Sequence, residues 1–71
     1  MYYRYLRGRL KQLGIEMDEL SARMALSPPS LSRRFNCYIP WSIREAYQLM
    51  DIIGAAPEEL YIYFPKGGVS Q

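Results

Sequence analysis

Seventy-one residues make one domain, near the lower limit at which a chain supports its own core. An apolar fraction of 49% excludes a disordered chain, a single cysteine excludes an internal disulfide, and the lack of histidine excludes a cysteine–histidine zinc site. The net charge of +2 is small but unevenly placed: residues 1–44 hold eight of the nine basic groups and three acids, while residues 45–71 come to −3. Such asymmetry predicts a basic contact surface in the first half, an ordinary solvated face being the alternative. No apolar run approaches ~18 residues and MYYRYLRGR lacks the apolar stretch of a signal peptide, so no membrane and a cytoplasmic location are expected.

Taken in order, the chain reads as an all-α fold of five helices in a single domain, 1–71. The first helix spans about 2–13, with Tyr3, Leu6, Leu10 and Leu13 as its buried stripe. Arg4, Arg7 and Lys11 form a basic stripe beside it, either solvated or against phosphate. Gly8 is expected to permit close packing, and Gly14 to end the helix. The second helix opens with Glu16, Met17, Asp18 and Glu19; acids suit a helix N-terminus and suit phosphate poorly. Met17, Leu20, Ser21 and Met24, at i, i+3, i+4 and i+7, mark its inward side.

Ala25 and Leu26 then lead to Ser27-Pro28, a hydroxyl N-cap followed by proline at the first helical position. The third helix covers about 28–36, with Leu31 and Phe35 inward. Pro29, Arg33 and Asn36 lie opposite, flanked by Ser30 and Ser32. Two short helices joined by a tight turn are how a helix-turn-helix offers its second helix to DNA. Arg33 suits a bidentate contact to guanine, Ser30 and Ser32 a base or phosphate, and Arg34 a phosphate from the flank. Asn36 is a phosphate donor or a C-cap. Ser27, Pro28, Met17 and Arg7 complete the predicted contact set, the prolines offering only apolar contact to a thymine methyl. A plain polar face is the competing reading.

The loop Cys37-Tyr38-Ile39-Pro40-Trp41 is expected to cover the core, with Cys37 as a packed small hydrophobe. Without histidine, and with no convergent acid, base and nucleophile, no enzyme, metal or cofactor is expected. Ser42-Ile43-Arg44-Glu45 matches a capping box. Ile43, Ala46, Tyr47, Met50 and Ile53 line one side of the fourth helix, Leu49 and Ile52 widen that arc, and Gly54 stops it. Ala56-Pro57-Glu58-Glu59 opens a fifth helix with Leu60 and Phe64 inward. Its outward Tyr61, Ile62 and Tyr63 form the expected dimerisation patch, unless they finish the core. Pro65 and Gly67-Gly68 end the fold, and residues 66–71 read as a frayed tail.

The stretches LSARMALSPPSLSRRFNC and WSIREAYQLMDIIGAAPEELYIYF resemble the Cro/repressor (XRE) helix-turn-helix family of phage and bacterial regulators, over roughly residues 5–64. The shared rhythm is Leu20-Ser21, small Ala25, apolar Leu26, Ser27, apolar Leu31, Ser32-Arg33 and Asn36, then PEELY with an aromatic finish. The resemblance implies a five-helix lambda-repressor-like DNA-binding domain, acting as a homodimeric transcriptional regulator on double-stranded DNA, with no small-molecule effector evident. The chain departs from the family pattern in three places. Met17 stands where a polar residue is frequent, Pro28 and Pro29 where Arg, Gln or Ser are, and Cys37 where glycine is common. The alternative is a protein-interaction module on the same fold, an anti-repressor or antitoxin-like partner using the aromatic loop and fifth helix.

Overall fold

How its helices end decides the path of this chain. The computed structural model describes residues 2–64 and 69–70, and over these the protein is mostly helical, consistent with an all-α fold. Its helices are α1 (Arg4–Leu13), α2 (Met17–Arg23), α3 (Pro28–Phe35), α4 (Ile43–Ile53) and α5 (Leu60–Tyr63), the last preceded by a 3-10 turn at Pro57–Glu59. No helix among the described residues is long and apolar enough to cross a membrane.

The first four helices close on one motif. After α1, the Gly14 N–H donates to the Lys11 carbonyl (3.1 Å) and the Ile15 N–H to the Leu10 carbonyl (3.0 Å). The same pair of bonds recurs at Ala25 and Leu26 after α2, at Cys37 and Tyr38 after α3, and at Gly54 and Ala55 after α4. This arrangement satisfies the last helical carbonyls and needs one residue in the left-handed region. Gly14 and Gly54 supply it at φ 72°, whereas Ala25 (φ 54°) and Cys37 (φ 63°) supply it without glycine's freedom. The starts are equally local. Ser27 Oγ accepts the Ser30 N–H, and Ser42 and Glu45 exchange the two bonds of a capping box at 3.1 and 2.9 Å.

The core gathers Leu6 and Leu10 of α1, Leu20, Met24, Leu31 and Phe35, and Ala46, Leu49, Met50 and Ile53 of α4. Tyr3, Trp41, Leu60 and Phe64 complete it. Trp41 is fully buried, edge-on to Phe35, Phe64 and Tyr3 at centroid distances of 5.3, 5.6 and 6.3 Å. Ser21, the polar interruption in α2, is buried and donates its hydroxyl to the Asp18 carbonyl at 2.8 Å.

Several expectations are corrected. Leu13 is exposed, because the chain reverses at Gly14 and Ile15 packs against the core in its place. Met17 is exposed at the start of α2. Ile43 and Tyr47 are exposed because the buried arc of α4 is centred on Ala46, Leu49, Met50 and Ile53. In the loop, only Trp41 enters the core; Tyr38 and Cys37 are exposed. Gly8 is not a packing contact, since nothing lies within 4 Å of a Cβ built on it. Val69 and Ser70, expected to fray, run parallel to Trp41 and Ser42 in a two-residue ladder (β1, Trp41–Ser42; β2, Val69–Ser70). Pro65, Lys66, Gly67, Gly68 and Gln71, the rest of the expected fold end and tail, lie outside the described residues.

Relieving the left-handed strain outweighs glycine's greater freedom when unfolded. Ala25→Gly and Cys37→Gly are each expected to raise stability by roughly 0.5–1 kcal/mol. Thermal melts will read this as a rise of several degrees, and a fall would contradict the strain assigned to these turns.

Candidate nucleic-acid interface

Of the ten predicted contact residues, five line one shallow groove. Arg7 from α1, Met17 from the start of α2, and Pro28, Ser32 and Asn36 from α3 surround about 210 Å³, floored by Leu31 and Phe35. The Arg7 guanidinium lies 5.0 Å above the Phe35 ring, and its Nε donates to the Tyr2 carbonyl at 2.9 Å. Packing and a hydrogen bond thus hold this cation in place beside the groove. Arg7 and Met17 also line an adjoining groove with Lys11 and Glu16, so a second cation and an acid sit nearby.

Along α3, Pro29, Ser32, Arg33 and Asn36 are exposed, as the helical spacing predicts. Arg33 makes no side-chain hydrogen bond or ion pair among the described residues, leaving its five donors available. Asn36 is partly committed: its Nδ2 donates to the Ser32 carbonyl (2.9 Å) and hydroxyl (3.3 Å), so it serves as the C-cap that was one of its two expected roles.

The start of α3 is chemically quiet. Pro28 and Pro29 have no N–H, and the Ser30 N–H is taken by Ser27 Oγ at 3.3 Å. The usual anion-attracting cluster of free helix N–H groups is therefore missing, and Ser27 acts as a cap.

Arg34 and Ser30 part company with the predicted contact set. Arg34 Nε and Nη2 donate to the two Glu45 carboxylate oxygens, each at 3.1 Å, and Nη1 donates to the Ser30 carbonyl (2.9 Å) and hydroxyl (2.6 Å). Both charged side chains are largely buried. A guanidinium so occupied is not free for phosphate, and the Ser30 hydroxyl accepts from it. The Arg34–Glu45 pair is what sequence reasoning missed here; the capping-box spacing of Glu45 was visible, but its spare oxygen gave no local signal.

Burial pushes the Glu45 carboxyl upward. The hydrogen bond from Arg34, those from Ser42 and the Arg34 charge more than reverse this, holding its pKa below the ordinary glutamate value of 4.5. Burial, with the Cys37 thiol nearby, raises the Tyr3 phenol above its ordinary 10.0, so it stays protonated at neutral pH.

Along α5, the expected dimerisation residues divide. Tyr61 and Ile62 are exposed, at 71% and 57%, whereas Tyr63 packs against the core and is corrected from its outward assignment. A helix of four residues offers too little length for periodicity to assign its faces. Ile62 and Tyr63 border a groove of about 290 Å³ with Arg4, Tyr5, Gly8, Arg9 and Gln12 of α1.

No protein-family model, curated protein or solved structure matches the chain.

The sign of the acid response follows from Glu45. A group whose pKa is depressed by folding stabilises above its unfolded pKa, and that stability is lost as pH falls through the folded value. Wild-type melting temperature is therefore expected to drop below pH 4.5 more steeply than that of Glu45→Gln, measured by circular dichroism across the acid range. Parallel curves would remove Glu45 as the titrating contributor.

Proposed function

We propose that the protein is a sequence-specific DNA-binding transcriptional regulator, with α2 and α3 as a helix-turn-helix and α3 lying in the major groove. The observation that carries this reading is the exposed edge of α3, on which Arg33 stands with no partner among the described residues. Beside it, the groove containing Arg7 offers a second cation, held rigid by Phe35 and the Tyr2 carbonyl. A bidentate arginine on guanine O6 and N7 is the commonest specific major-groove contact, and Arg33 has the fork it requires. The resemblance to Cro/repressor regulators points the same way.

Size supports a dimer. The Cα trace spans 25 × 24 × 23 Å, less than the ~34 Å between successive major-groove faces, so one copy spans one half-site. Tyr61 and Ile62, exposed and apolar, are the proposed contact between copies. The second reading, an interaction module that does not use DNA, is favoured by the same exposed side chains and by Tyr38, 79% exposed.

Binding of a fluorescent random-sequence duplex pool at two salt concentrations separates the readings. A regulator is expected to lose about tenfold or more in affinity between roughly 50 and 200 mM salt. Arg33→Ala is expected to cost about 1–3 kcal/mol on a selected site and to relax base preference, while Arg7→Ala weakens all sequences alike. No binding at low salt leaves the interaction module. For the dimer, Ile62→Glu is expected to shift sedimentation from two copies to one without lowering helix content; an unchanged sedimentation profile would remove this patch as the interface.

A further inference from the structure

Arg33 and Arg34 are neighbours on the helix proposed to enter the groove, and only the first is free to read it. Arg34 commits four of its five N–H groups, two to Glu45 and two to Ser30. Ser30 lies one turn earlier on α3, so the guanidinium grips a full turn of that helix. Glu45 Oε1 also accepts the Ser42 N–H at 2.9 Å, and the Glu45 N–H donates to Ser42 Oγ at 3.1 Å. The fork is thereby fixed to the first turn of α4.

The geometry points to Arg34 as the positioning residue of α3: clamped to Glu45, it sets the roll of the helix against α4 and so aims Arg33, without touching DNA itself. This inference rests on the DNA-binding reading. A planar, bidentate guanidinium–carboxylate pair resists rotation in a way a lysine point charge does not. Fixing α3 along one turn limits the angles through which the Arg33 fork can swing.

The two roles open to Arg34 predict opposite signs for the loss of Glu45. If Arg34 served a phosphate, Glu45→Ala would release it and remove a repelling carboxylate, tightening binding. If Arg34 positions the helix, the same change weakens binding.

The full chain and its R34A, R34K, E45A, E45Q and R34A/E45A variants are titrated against a duplex selected from a random pool by the wild type. Titrations run over a salt series, well below each variant's melting temperature, where lost stability alone leaves affinity untouched. R34A and E45A are each expected to weaken binding on the order of tenfold, with the double variant no worse than either, as for two residues acting as one unit. R34K behaves as R34A, and the slope of log affinity against log salt stays at the wild-type value because no phosphate contact is lost. Should the alanine variants not fold, R34K, which keeps the charge, and E45Q, which keeps an acceptor for Ser42, carry the comparison. Binding by E45A or E45Q at least as tight as wild type, or a slope lower by about one in R34A or R34K, overturns the positioning role. A wild type that binds no duplex at low salt overturns the DNA-binding reading itself, and the aiming of Arg33 with it.

Discussion

The burial of Trp41 is the contact on which the rest of the structure depends. Its indole meets Phe35 at the end of α3, Phe64 after α5 and Tyr3 at the start of α1, all edge-on. Edge-to-face aromatic pairs contribute roughly 0.5–1.5 kcal/mol each beyond the area they bury, against a total stability of about 5–15 kcal/mol for a small domain. One residue outside the helices therefore draws three of them together. It is held in turn by the cap at Ser42 and the ladder to Val69. Because Phe35 also lies beneath Arg7 and floors the groove beside α3, core packing and the shape of the candidate interface share one side chain.

Charge on this protein is divided between holding and contacting. Glu45 neutralises Arg34 in a largely buried pair, and Glu19 meets Arg23 at 2.7 Å on the open surface. The exposed pair adds little, since water screens it and two long side chains must be ordered. What remains unpaired near α3 among the described residues is Arg33, with Arg7 and Lys11 across the grooves and Glu16 beside Lys11. Such a field is positive but modest. Two copies on one duplex would double it, as the proposed dimer requires.

Local chemistry made the helices legible, because their starts and stops are written within a few residues. Ser27-Pro28, the Ser42–Glu45 box, Gly14 and Gly54 all act where their spacing places them. Non-local choices were hidden. Arg34 and Glu45 lie eleven residues apart, and a capping glutamate uses one oxygen on the N-cap, so nothing nearby shows where its second oxygen goes. The inward side of α4 was misjudged by one column, since an arc that is apolar from Ile43 to Ile53 does not mark its own centre. Four residues of α5 and two of β2 are too short for any period to speak.

The departures from the Cro/repressor rhythm become intelligible through backbone geometry. Cys37, a departure where that rhythm has a glycine, and Ala25, which keeps its small residue, are the two non-glycine residues that turn left-handed at the ends of α2 and α3. The turn persists without glycine because its carbonyls are satisfied by the same paired bonds and Leu26 packs against the core. The prolines act differently. By removing two N–H groups at the start of α3, with Ser27 capping the third, they leave that end unable to hold a phosphate through its backbone. If α3 enters the groove as proposed, its contacts fall to side chains on its later turns. Of the two arginines there, one is clamped to Glu45, so on the proposed DNA-binding reading discrimination rests on Arg33 and on whatever keeps it aimed.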